Sequence, residues 1–173
     1  ISVINYAAIE SNLDTALKWL EKDAGSSNAI WKIVTLHVPP YNTNISDSHK
    51  AFTEKFPKVA QKAGVDFVFS GHDHSYARRA PMTDMKVDEE NGVTYFICGS
   101  SGEKSYGVTI NPDYNFKIAT NEFSSIYLSV NATDSQFTVN TYDVNGDSKT
   151  LLDSFTKHKK NDCSVNGHIF KYE

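Results

Sequence analysis

The stretch "VDFVFSGHDHSYARR", residues 65–79, decides how this chain is read. Its apolar run, Val65 to Phe69, has the length of a buried strand rather than of a helix. The run stops at Ser70-Gly71, and His72 and His74 follow two positions apart. On a strand, residues two apart face one side, so the spacing predicts that both rings project together. A glycine before the pair lets the backbone turn tightly. Neutral imidazoles suit zinc, iron, manganese and similar ions.

Working outward, "AIWKIVTLHVPPY", residues 29–41, repeats the arrangement: an apolar run, then His37, then two prolines that stiffen the loop. Helical patterns separate the strand-like runs. In "SNLDTALKWLEKDAG", residues 11–25, Leu13, Ala16, Leu17 and Leu20 fall at helical spacing, with Ser11 or Asn12 as a start and Gly25 as a stop. In "SHKAFTEKFPKVAQKAG", residues 48–64, Phe52, Phe56, Val59 and Ala63 share one side, and Pro57 predicts a kink or a second helix. With "ISVINY" at the start, the order is β-α-β-α-β, which implies parallel strands and right-handed crossovers. Ligands of such sheets bind beyond the carboxyl ends of the strands. His37, His72 and His74 all fall there.

After residue 80 the pattern changes. "GVTYFICGS", "SSIYLSV", "SQFTVNTYDV" and "KTLLDSF" read as strands of an antiparallel region, with Asn145-Gly146 as a hairpin turn and residues 101–122 as loop. The fold class is α/β (α+β), one domain over residues 1–157 with a polar tail over 158–173.

Composition bounds the function. The chain has 173 residues, net charge −4 with interspersed signs, and 39% hydrophobic residues, so it reads as a packed globular domain without a nucleic-acid patch. No apolar run approaches the length of a membrane span. The chain opens on a strand-like run without a leader pattern, as a cut within a longer protein would. Cys98 reads as a small apolar residue, with pairing to Cys163 left open. Asn44-Ile45-Ser46 and Asn131-Ala132-Thr133 are glycosylation triplets only if the protein enters a eukaryotic secretory route.

"WKIVTLHVPPY" followed by "GVDFVFSGHDHSYAR" resembles the last two signature blocks of the calcineurin-like metallophosphoesterases, closest to the purple acid phosphatase branch with its V-x-x-H and G-H-x-H motifs. "GVTYFICGSSGEKSY" is similar to that branch's next strand and glycine turn. The resemblance implies the carboxyl-terminal half of an αββα sandwich and a phosphatase acting on phosphate monoesters through two metal ions of the iron, zinc or manganese kind. By motif position His37 and His72 hold one ion and His74 the other. It implies an extracellular or secretory protein, with a phosphate-ester substrate and the amino-terminal half of the domain as partners. Asp73 is read as a loop-fixing or histidine-orienting residue. Tyr76 is expected to pack under the loop, and Arg78 to pair with a carboxylate or steer phosphate. Where plant members carry a histidine pair, this chain has Ser46 and Asp47, which leaves His49 as the candidate acid.

The earlier family blocks, G-D-x-x, G-D-x-x-Y and G-N-H-[DE], have no counterpart here. The only Gly-Asp is Gly146-Asp147, and there is no Asn-His. Three neutral imidazoles cannot hold two cations a few ångströms apart, so the chain alone is expected to be inactive. Two alternatives stand beside this reading: a mononuclear zinc hydrolase or lyase held by three histidines, and a non-catalytic remnant or binding module. A sheet lacking half of its sandwich is also expected to expose an apolar face and to self-associate.

Overall fold

The computed structural model describes residues 1–4, 11–44, 49–100, 102 and 104–159. Strand β1 (Ser2–Ile4), helix α1 (Leu13–Gly25), strand β2 (Ile33–Leu36), helix α2 (Lys50–Lys62) and strand β3 (Phe67–Ser70) form the expected alternation, and the three strands pair in parallel. Leu17, Leu20 and Ala24 make the buried side of α1, and Phe52, Phe56 and Ala60 that of α2. Asp14 in the first turn of α1 and Lys22 in its last complement the helix dipole. Gly64 stops α2 in the left-handed region at φ +71°, with its N–H donating to Gln61 O and that of Val65 to Ala60 O. These two bonds define a Schellman end.

Pro57 does not start a second helix, because α2 runs through it. A proline inside a helix removes one hydrogen bond and crowds the preceding turn. Pro57→Ala is therefore expected to raise the melting temperature by about 2–4 °C, the equivalent of about 1 kcal/mol in a domain this size. An unchanged or lower melting temperature would mean that Pro57 packs too well to be replaced.

The region after residue 80 is only partly antiparallel. Strands β4 (Tyr76–Arg79), β5 (Met82–Thr83), β6 (Lys86–Val87), β7 (Thr94–Cys98) and β8 (Phe116–Thr120) precede β9 (Ile126–Ala132), β10 (Gln136–Asn145) and β11 (Ser148–His158). The main sheet has the order β1-β2-β3-β7-β4-β8. Strand β7 lies parallel to β3, against the antiparallel expectation, with β4 antiparallel to β7 and β8 antiparallel to β4 beyond it. The reason is in its composition: "TYFI" is buried throughout, as a strand covered on both faces must be. Residues 101–122, expected as loop, contain β8 and a 3-10 turn at Pro112–Tyr114. Strands β9, β10 and β11 make a separate antiparallel sheet in the order β11-β10-β9. Gly146 turns at φ +57° between β10 and β11. His158, placed in the polar tail by the sequence, ends β11, and Cys163 and His168 lie outside the described residues.

Both faces of the main sheet are covered. Helices α1 and α2 bury Val34, Val68 and Tyr95 on one face. On the other, Phe67, Tyr76 and Phe96 meet Ile126, Phe137 and Val139 of the small sheet, with Phe67 stacked on Phe137 at 4.2 Å between centroids. The expected bare face thus gives way to a layer the chain supplies itself. The alternation of Phe137 and Val139 along β10, with Thr141 continuing it, agrees with the reading that the antiparallel part extends or packs against the first sheet.

Candidate metal centre

Parallel pairing brings the carboxyl ends of β2 and β3 side by side, and His37 and His72 leave from those ends. The Gly71 N–H donates to His37 O at 3.0 Å, tying the two loops together. His72 Nδ1 and His37 Nε2 face each other at 3.2 Å, with the rings at 83°. Two nitrogens each about 2.0–2.1 Å from one ion, at ligand angles of about 90–110°, stand about 2.9–3.4 Å apart. The pair therefore fits a single ion. Burial lowers the pKa of His72, opposed by Asp73 and aided by His37, which favours the neutral ring that ligation requires.

His74 does not join them. The strand ends at Ser70, and His72 and His74 sit in the left-handed region at φ 68° and 50°. The period-two rule that aimed both rings together ceases to apply there. The His74 ring lies parallel to Tyr106 at 4.5 Å, and its Nδ1 is buried without a hydrogen-bond partner among the described residues. No group of three or more His, Cys, Asp or Glu side chains among the described residues converges as a ligand set. The convergence that the three-histidine mononuclear alternative requires is not seen among the described residues.

Asp73 faces away from the pair, toward Thr43: its Oδ2 accepts the Thr43 N–H at 2.5 Å and the Thr43 hydroxyl at 3.0 Å. Burial raises its pKa, and these two bonds oppose the rise. His49, at the start of α2, lines a cleft of about 170 Å³ together with His72, Asp73, Asn42, Asn44 and Tyr106. Ser46 and Asp47 lie outside the described residues.

Tyr76 and Arg78 turn to the small sheet instead of the histidine loop. Both project from the same side of β4, and Asp153 on β11 accepts from Tyr76 Oη at 2.7 Å and from Arg78 Nε and Nη2 at 2.6 and 3.0 Å. Arg79, alternating to the other side, stacks on Tyr41 at 3.6 Å. Arg78 is thus engaged in a buried ion pair, the structural share of its sequence reading, and is not offered to a phosphate.

Sequence reasoning missed Gly99. A Cβ there would stand 2.6 Å from the His74 backbone nitrogen, whereas at Gly71 the nearest atom would be 3.9 Å away. Gly99, not Gly71, lets the histidine loop pass close to the next strand. Its position directly after "TYFIC" was the available signal.

A family profile described as calcineurin-like phosphoesterase matches residues 2–76, the segment that carries His37, His72 and His74. Purple acid phosphatase 21 of Arabidopsis thaliana is 32% identical over 107 residues, covering 58% of this chain and 24% of that protein. Purple acid phosphatase 18 of the same plant is 31% identical over 91 residues, 50% of this chain and 21% of that one. The chain thus matches about a quarter of the length of these relatives. In fold it is similar to the purple acid phosphatase PPD1 of yellow lupin (Lupinus luteus) seeds, with a TM-score of 0.67 at 17% identity over 90% of this chain and 30% of that one. It is also similar to GAP50, the anchor in the inner membrane complex of Plasmodium, with a TM-score of 0.63 at 18% identity over 91% of this chain and 48% of that one. Among the described residues no helix is long and apolar enough to cross a membrane.

Proposed function

We propose that the chain supplies the His37–His72 half of a two-metal phosphoesterase site, and that the protein it serves hydrolyses phosphate monoesters. The observation that carries this reading is the facing pair of ring nitrogens at 3.2 Å, at the sheet edge of a calcineurin-like phosphoesterase segment. Metal ions of the iron, zinc or manganese kind would supply Lewis-acid polarisation of the ester and activation of the attacking water. His37 and His72 hold one ion, and His74 is the donor assigned to the other. His49, at the rim of the cleft, is within the same cavity as His72 and is the candidate for holding the proton that the leaving oxygen takes.

The three histidines bring no negative charge, so two cations at this edge require carboxylates beyond the ligand groups among the described residues. An extracellular or secretory setting is part of the same proposal. Asn131, the first residue of one glycosylation triplet, is exposed at the end of edge strand β9.

Zinc affinity of the chain tests the reading. His37→Ala and His72→Ala are each expected to abolish binding at the pair, while His74→Ala leaves it near the wild-type value. Equal loss in all three variants would favour a three-histidine site, and unchanged binding in the first two would refute the pair. The second reading, a non-catalytic module on this fold, is favoured by the lack, among the described residues, of any group of three or more His, Cys, Asp or Glu side chains that could hold a metal ion. It expects no phosphate-ester hydrolysis by the full-length protein with zinc, iron or manganese, whereas the leading reading expects hydrolysis that His72→Ala removes.

A further inference from the structure

We propose that Asp73 is a positioning residue, clasping the loop after β2 to the loop after β3 so that His37 and His72 keep the spacing of one ion. The inference rests on the reading of that pair as a metal site. A carboxylate between two candidate ligand histidines would ordinarily be taken as a third ligand, but this one is spent elsewhere. Asp73 is 5% exposed, and its Oδ2 takes both the backbone N–H and the hydroxyl of Thr43. Thr43 and Ser75 are wholly buried, and their hydroxyls share a bond of 2.7 Å. The Thr43 carbonyl accepts the N–H of Thr109 at 2.7 Å. Three segments therefore meet at Thr43: the loop that carries His37, the loop that carries His72 and His74, and the segment after Tyr106.

The backbone supplies a second, independent observation. His72 and His74 both occupy the left-handed region, at φ 68° and 50°. A residue other than glycine persists there only when its surroundings over-determine the conformation. Asp73 lies between the two, and its side chain is bound to Thr43. Its bonds to Thr43 pull the turn toward the His37 loop, while the Gly71 N–H to His37 O bond fixes the other end. With Asp73 shortened to alanine, the turn keeps the bond from the residue 73 N–H to Gly71 O but loses its tie to Thr43, and the His72 ring drifts from His37.

Two measurements test this on the 173-residue chain: zinc affinity by competition with a chromophoric chelator, and ring-to-ring contacts of His37 and His72 by NMR in the metal-free protein. Asp73→Ala is expected to weaken zinc about 10–100-fold, as loss of the partners that orient metal ligands does, and to erase the ring contact. Asp73→Asn keeps an acceptor for Thr43 and is expected to restore both. Thr43→Val, which removes only the hydroxyl bonds, is expected to fall between and stands in if the alanine variant does not fold. Wild-type affinity and ring contact in Asp73→Ala would overturn the proposal. So would an Asn variant as weak as the Ala variant, since that would make Asp73 a ligand. Should wild-type chain bind no zinc, the metal reading fails, and the ring contact alone decides whether the clasp exists.

Discussion

Asp153→Ala is expected to destabilise the chain by about 3–5 kcal/mol, the range for removing one member of a buried ion pair and leaving the other charged. Asp153 and Arg78 are 12% and 13% exposed, so water replaces little of what is lost. The carboxylate takes three bonds, two from the Arg78 guanidinium and one from Tyr76, whose oxygen also accepts from Thr141 at 2.9 Å. The network joins β4 of the main sheet to β10 and β11 of the small one, so its loss loosens the layer that covers Phe67 and Phe96. Replacing both charged partners, in Arg78→Met with Asp153→Leu, should recover much of the stability, because no unpaired charge is left buried. If the double variant is no better than Asp153→Ala, the loss comes from packing and not from charge.

The same group sets an acid limit. Burial raises the Asp153 pKa, but the bonds from Arg78 and Tyr76 outweigh that and leave it below the usual carboxylate value. A depressed carboxylate contributes stability that is complete above the unfolded value of about 4 and is lost as pH falls through the folded value. Denaturation at pH 7 and pH 3 should therefore show a smaller Asp153→Ala effect at the lower pH. An equal effect at both would contradict the assignment.

Gly99→Ala is the second large effect. Its Cβ would lie 2.6 Å from His74 N and 3.2 Å from His74 Cα, both backbone atoms without a flexible side chain to yield. The histidine loop must shift, at about 1–3 kcal/mol for forced overpacking, and with it the facing nitrogens of His37 and His72. Zinc binding at the pair should weaken at least tenfold. Gly71→Ala is the internal control: its nearest neighbour would be His37 O at an ordinary 3.9 Å, so near wild-type stability and binding are expected. The reverse order of severity would mean that the motif glycine, not the strand-end glycine, shapes the loop.

The contrast between these glycines marks what the sequence could convey. Apolar periods and caps made α1, α2 and the three parallel strands legible, because each is a local pattern. The approach of His37 to His72 was legible too, since parallel pairing puts both strand ends at one edge. The course of the chain beyond Ser70 was not. Left-handed φ at His72 and His74 leaves no mark in residue type, and the alternation rule failed there. Nor could Arg78 be assigned without Asp153, which is 75 residues away and on another sheet. Strand β8 went unread because "FKIAT" is an edge strand amid Asn and Gly, and only its pairing with β4 defines it.

The central claim is that His37 and His72 together hold a metal ion. Anomalous diffraction at the zinc edge, from crystals of the chain grown with zinc, tests it most directly. The account predicts a peak about 2.0–2.1 Å from both His37 Nε2 and His72 Nδ1. A peak on His74 alone, or none at the carboxyl edge of β2 and β3, would contradict it.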